Sequence, residues 1–417
     1  MTTQRLRWQS FPVSILTYLL TFDIIMSNWK TVFSKHTNDF NWEVFMGTIV
    51  QTQGKKTRDS GIELLRIILM LQVIFLHVST YGGYYKTAVE IGGSVEFIHK
   101  LIWLCCRCPV YVYIVIFGYF SVTSNKTLGS IKGKILKMYL PMYFYSVAIP
   151  FLGELFGLWT LTDLNKQRAF FPLTSKIWYF MTLYMLVLIL SPFINRCLTK
   201  LSKREYTQLI VILFLIFSVW TLFAGLPETK DVIRLEQVIT ESAGGKSLYG
   251  FVFMYILGGY LRLHVKPHGG PKARYLIVYF ALALVNLALW YFVDGYGKVV
   301  AYNSNPFCVI QGVCLVLFFR EIHFKSRVIN HIASLNLGVY MIHEQYLARN
   351  FIWNKLDFSP KWIYHSHIKY LAKIAIACVV VFVVCALIEQ VRVFLFAGVR
   401  FIYQKISGRF KTASAEK

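Results

Sequence analysis

The stretch Gly61-Ile62-Glu63-Leu64-Leu65-Arg66, which runs on through Gln72 to His77 with little but aliphatic residues between, is apolar yet carries Glu63, Arg66 and His77. A helix needs about 20 largely apolar residues to cross the hydrocarbon core of a bilayer, and the run from 62 to 82 meets that length. Ionisable groups inside such a span are costly, turn toward the bundle interior or a wet cavity, and are functional candidates by default. Arg66 and His77 are eleven residues apart, close to three full turns, so they share one helical face about 16 Å apart along the axis. That geometry suits a cationic anchor for an anionic cofactor head and a distant acid or base. Two blander readings stand beside it: Arg66 snorkelling to lipid phosphates, and His77 as a hydrogen-bonded packing residue.

The rest of the chain agrees with a bilayer. Of 417 residues, 56% are hydrophobic, 17% aromatic and only 15% charged, with a mean hydropathy of +0.52. A soluble domain carries about 25% charged residues, so this composition excludes a soluble enzyme and a disordered tail protein. Apolar runs bounded by charge or by Gly, Pro and Asn predict spans near 62–82, 101–122, 138–158, 177–195, 206–226, 247–263, 274–293, 306–319, 332–353 and 371–391. The expected fold is therefore all-α: a polytopic integral membrane bundle of about ten transmembrane helices.

Net charge is +24, from 44 Lys and Arg against 20 Asp and Glu. On a soluble chain that would suggest a nucleic-acid partner. Here the bases sort by loop: one alternating set, including Lys132, Lys137, Lys200, Lys272, Lys325 and the C-terminal cluster, holds 24, and the opposite set holds 13. The excess marks the cytoplasmic side, so both termini are expected there and no nucleic acid is implied. Residues 1–54 do not fit the pattern. Phe11 to Met26 is interrupted by Asp23, lacks a cleavage site, and as one extra crossing would invert every span. They are expected to be a peripheral extension, or translation upstream of a start such as Met46. A membrane domain over 55–393 and a basic cytoplasmic tail over 394–417 complete the expected organisation.

Other polar signals are weaker. Cys105, Cys106 and Cys108 have no zinc spacing and read as buried thiols. His343-Glu344 opens like a zincin motif, but position 347 is Leu, so no metal site is expected. The pair His343-Glu344 either lines the cavity of His77, the favoured reading because Arg349 follows, or caps the polar end of its helix. Arg107, inside the second span, either pairs with Glu154 or binds cofactor phosphate. Gly245-Lys246-Ser247 imitates the end of a phosphate loop, but Thr240 breaks the pattern. Glu389 and Arg392 read as a boundary ion pair, and His365-Ser366-His367 as a solvated loop.

Taken together, Ser60-Gly61-Ile62-Glu63-Leu64-Leu65-Arg66, ten residues and then His77 resembles the first helix of the membrane acyltransferases often called acyltransferase family 3. Further stretches in the same order, over roughly 59–393, are similar to that family: Cys108-Pro109-Val110 to Phe117-Gly118-Tyr119-Phe120, Ile131 to Pro141 with Lys132, Lys134 and Lys137, Trp178-Tyr179-Phe180, Leu257-Gly258-Gly259-Tyr260-Leu261-Arg262, and Leu337-Gly338-Val339-Tyr340-Met341-Ile342-His343. Phe117 stands where a Ser is common in the family.

The resemblance implies transfer of an acyl group, expected to be acetyl, from cytosolic acyl-CoA to a hydroxyl of a cell-surface polysaccharide or its lipid-linked precursor, at a bacterial cytoplasmic membrane. It implies that Arg66 holds acetyl-CoA with Glu63 orienting its guanidinium, and that His77 is the base or transient acyl carrier. Arg107, Lys132 and Lys137 are the further cofactor candidates; His343 and Trp178 are the acceptor candidates. The rival function is export of a surface or biofilm glycan, which internal inverted repeats would favour; none is evident.

The charge bias makes a direct prediction. Reporter fusions near Lys200 and Lys272 read cytoplasmic, and fusions near Arg168 and Lys298 read external; inverted reporters would sink the topology.

Overall fold

The computed structural model describes residues 59–124, 127–175, 177–226, 244–267 and 270–415, with side chains through 399. The expected extension at 1–54 lies outside the described residues. Among those described the secondary structure is helical throughout: α1 Ser60–Tyr81, α2 Tyr84–Ile91, α3 Gly93–Cys105, α4 Pro109–Ser121, α5 Leu128–Leu155, α6 Asp163–Phe170 and α7 Tyr179–Leu198. There follow α8 Lys203–Ala224, which includes a π-helical stretch at Leu215–Trp220, then α9 Leu248–Leu263, α10 Ala273–Phe292, α11 Pro306–Arg320, α12 Arg327–Glu344, α13 Tyr346–Lys355 and α14 His367–Ala415.

Among the described residues, seven helices or helix pairs are long and apolar enough to cross a membrane, and α9 and α11 are shorter apolar helices. Burial is arranged for lipid. Outward side chains such as Ile277 (66% exposed), Phe280 (54%) and Leu387 (62%) are apolar, whereas Glu63, Asn336, Glu389 and Arg392 are buried. The chain is thus an all-α polytopic membrane bundle. Each of the ten expected spans overlaps a helix, with two corrections. The second span is broken: α3 stops at Cys105 and α4 restarts at Pro109, which has no N–H to continue the first helix and occupies its own helix's first turn. The ninth is broken at Gln345, whose backbone is extended and whose Oε1 accepts from the N–H groups of Leu347 and Ala348, capping a new helix. At the C terminus, α14 runs through 394 without interruption for 49 residues, about 74 Å at 1.5 Å per residue, far beyond the hydrocarbon thickness.

Helix α1 lies centrally, against α4, α11, α12 and α14. Asp59 caps it by accepting from the Gly61 N–H. Partial burial opposes the charged form of Asp59, but hydrogen bonds from His323 and Gly61 outweigh it and hold the carboxyl below its usual range. Loops that the charge pattern assigns to one side do meet. Ser60 bonds Phe324, Ser326 and Asn330, Lys272 donates to the Glu321 carbonyl, and buried Arg320 donates to the carbonyls of Leu261, Val265 and Lys266. At the opposite ends, Phe358 bonds Gly82, Thr87 bonds Ser359, Asn303 bonds Gly244 and Ser94 meets His367.

Two weak motifs of the sequence meet at the crossing of α4 and α9. A Cβ on Gly118 would fall 2.0 Å from the Tyr255 carbonyl oxygen, and one on Gly258 would fall 2.1 Å from that of Val115. Each glycine therefore admits the other helix's backbone, as small residues do where membrane helices cross closely. Backbone cannot yield as a side chain does. Gly118→Ala and Gly258→Ala are each expected to destabilise the chain by about 1–3 kcal/mol, read as a lower melting temperature in detergent. Gly398→Ala, where nothing lies within 4 Å, should show no loss.

Candidate active site

The α1 face that carries Arg66 and His77 points into the bundle, and each end meets a different set of partners. At the Arg66 end the guanidinium NH1 reaches both Glu63 carboxylate oxygens, at 3.0 and 3.1 Å, one turn away on the same helix. The Arg66 side chain keeps 31% exposure, so it is not sealed by this pair. Its backbone carbonyl accepts from Tyr113 Oη at 2.7 Å and Asn336 Nδ2 at 2.8 Å, which ties α1 to α4 and α12 at this level. Lys132 is exposed and Lys137 half-buried on the first turns of α5, whose Ile135 and Met138 enter the apolar core.

At the other end, His77 Nε2 stands 3.2 Å from Glu344 Oε2. The approach has ion-pair distance without hydrogen-bond alignment. Glu344 is held from behind: Arg349 NH1 reaches Oε1 at 3.0 Å, donates to Tyr81 Oη at 3.3 Å, and lies 4.3 Å from the Tyr81 ring centroid. The order Arg349, Glu344, His77 is that of a base backed by an oriented carboxylate. His77 Nδ1 is buried and without a hydrogen-bond partner among the described residues.

His343 joins this end, with its ring 5.1 Å from that of His77. Its Nδ1 is 2.5 Å from the Val339 carbonyl, to which it must donate, so Nε2 is left as an acceptor in the neutral tautomer. That Nε2 is buried and unpartnered among the described residues. His343 thus stands beside His77.

The helix breaks frame the same region. Gln72 donates to the Cys105 carbonyl at 3.2 Å and to Tyr279 Oη at 3.3 Å, and Tyr279 also contacts that carbonyl, so the freed end of α3 is satisfied by side chains. Arg107 sits in this break, with its guanidinium 5.0 Å from the Trp103 ring and one nitrogen donating to the Ala301 carbonyl. It does not pair with Glu154, whose Oε1 accepts instead from the Leu161 N–H. Trp178 is fully buried in the apolar core; the next residue, Tyr179, faces Lys246, whose Nζ lies 5.4 Å from its ring.

Sequence reasoning thus found both ends of the α1 face but missed the Glu344 partnership. The signal was available, since Glu344 is an acidic residue inside an expected span. The expectation for His343-Glu344 went no further than lining the cavity of His77 or capping the helix end.

A protein-family model described as an acyltransferase domain matches residues 59–390. No curated protein and no solved structure matches the chain. The match takes in α1 with both its charged ends, the two broken helices and Arg349. The chain belongs to the acyltransferase 3 family, and it is a multi-pass membrane acyltransferase.

Proposed function

We propose that the chain transfers an acyl group, expected to be acetyl, from cytosolic acyl-CoA to a hydroxyl of a surface polysaccharide or its lipid-linked precursor, in a bacterial cytoplasmic membrane. The observation that carries this reading is His77, backed by Glu344 on one ring nitrogen and unpartnered on the other, on the same helical face as Arg66.

Arg66, fixed in rotamer by Glu63, takes a phosphate or carboxamide of the donor as a charge-assisted contact. The extended arm of the donor then runs along α1 and brings its thioester to His77. The acceptor hydroxyl gives its proton to His77 Nδ1 as its oxygen attacks the thioester carbonyl, and the negative charge of Glu344 stabilises the imidazolium that forms. Collapse of the tetrahedral intermediate breaks the C–S bond. The thiolate takes the proton back from His77, which returns to its neutral form. Arg349 keeps Glu344 from turning away.

Arg66 and His77 serve different partners, so their variants separate. Arg66→Ala is expected to weaken donor binding by roughly 1.5–3 kcal/mol, the range of a hydrogen bond to a charged group. Arg66→Lys should restore only part of it, because a point charge lacks the guanidinium fork. These effects are read as donor KM or by calorimetric titration of acyl-CoA. His77→Gln should leave donor binding intact and lower the transfer rate on the order of 10²- to 10⁴-fold. Near wild-type acylation by purified His77→Gln protein would make His77 a packing residue.

Glu344→Gln keeps volume and removes the charge. It should lower kcat by roughly tenfold or more while donor KM holds, the pattern of an interaction made mainly in the transition state. In a deletion strain, mass spectrometry of the surface polysaccharide should find polymer that is exported but lacks its ester groups. Polymer stranded inside the cell would favour export as the function.

A further inference from the structure

Tyr81 takes no part in the chemistry proposed above, yet it is built into the same end of the molecule. It is the last residue of α1, one helical turn beyond His77, and the centroids of the two rings lie 5.6 Å apart with an interplanar angle of 52°. Arg349, whose NH1 holds the Glu344 carboxylate at 3.0 Å, also donates to Tyr81 Oη at 3.3 Å and sets its guanidinium carbon 4.3 Å from the Tyr81 ring centroid. One cation thus fixes both the carboxylate behind His77 and the ring beside it.

Exposure separates Tyr81 from its neighbours. The side chains of His77, Glu344 and Arg349 keep 16%, 13% and 22% of their accessible surface and His343 keeps none, whereas Tyr81 is 43% exposed. The way in from the surface therefore lies along this ring. A tyrosine that only anchors a helix at the bilayer edge holds its hydroxyl among the headgroups. Tyr81 instead has its hydroxyl bonded to Arg349 and one ring face under a guanidinium, so it offers outward the other face of an oriented ring.

A pyranose has the surface that matches. C–H bonds on one side of the sugar form an apolar patch whose hydrogens are made positive by the neighbouring oxygens, and an aromatic face carries the complementary negative charge. The hydroxyls radiate from the edge of the sugar. An open-chain polyol has the same hydroxyls without the flat patch.

We propose that Tyr81 is the platform on which a sugar ring of the acceptor stacks, on the face turned away from Arg349, with a ring hydroxyl directed to His77. This rests on the acyl-transfer reading and adds to it a residue that selects cyclic sugars over open-chain alcohols. Arg349 orients the platform in advance, so little side-chain freedom is lost when the sugar binds.

The test uses the full chain in phosphatidylcholine nanodiscs with acetyl-CoA and four soluble acceptors: methyl glucoside, methyl galactoside, methyl N-acetylglucosaminide and the open-chain sorbitol. The readout is the ratio of kcat/KM for the best-used glycoside to that for sorbitol. In the wild type that ratio should be roughly tenfold or more, the scale of one well-formed aromatic contact. Tyr81→Leu should bring it down toward unity, chiefly by raising the KM of the glycoside, and Tyr81→Phe, which keeps the ring, should retain most of it. Tyr85→Leu, at a tyrosine of similar exposure (44%) on α2, should leave it unchanged.

A wild-type ratio near unity would overturn the proposal. So would Tyr81→Leu lowering both acceptors equally, since Tyr81 would then serve only to hold Arg349, or Tyr81→Phe losing the ratio as fully as Tyr81→Leu. If Tyr81→Leu is inactive with every acceptor, Tyr81→Gln carries the same comparison, and inactivity of both leaves only the holding role and overturns the proposal as well. Transfer to sorbitol or hydrolysis of acetyl-CoA by the wild type shows that the acyl-transfer reading survives such a failure; acetyl-CoA left intact with every acceptor overturns that reading and this proposal with it.

Discussion

Inside hydrocarbon no water is present to satisfy a backbone N–H or C=O, so every interruption of a helix has to be repaired by neighbouring groups. Much of this bundle follows from that constraint. Helix α1 is continuous and needs no repair, which lets it hold Arg66 and His77 in fixed register. The breaks before Pro109 and at Gln345 are repaired by Gln72, Tyr279 and the Gln345 side chain. Each repair brings polar side chains to a depth where they would otherwise be excluded. The two interruptions carry Arg107 at the first, and Glu344 and Arg349 on either side of the second.

The two ends of α1 are built on different principles. At Arg66 the cation and its carboxylate are one turn apart on a single helix, so their geometry is local and survives changes elsewhere. At His77 the carboxylate comes from α12 and the cation that holds it from α13, so the arrangement exists only when three helices are packed together. On the proposed reading a donor anchor can tolerate being local, whereas a proton-transferring pair placed across helices depends on the whole bundle being correctly closed.

That distinction also explains how much the sequence revealed. The α1 face was legible because eleven residues of separation fix it by helical geometry alone. The spans were legible because hydrophobic length and Lys/Arg sidedness are properties of short segments. The breaks were hidden because a count of apolar residues measures length and not continuity; Pro109 was a visible warning, whereas Gln345 becomes a cap only through the conformation it adopts. The glycines of Phe117-Gly118 and Leu257-Gly258 read as isolated motifs, yet each exists for the other's backbone. Glu344 was in plain view, but its distance from His77 along the chain gave no local pattern to read.

Gln345 has an effect that goes beyond continuity. Glu344 is the last residue of α12 and Arg349 lies in the first turns of α13, so the ion pair that holds the carboxylate spans a joint whose only covalent link is one extended residue. A rotation of α13 about that joint carries Arg349 away while Glu344 stays with α12. The orientation of the carboxylate toward His77 is therefore coupled to the tilt of a ten-residue helix. On the proposed mechanism that tilt is a mechanical coordinate for the acid–base chemistry, separate from the binding of either substrate.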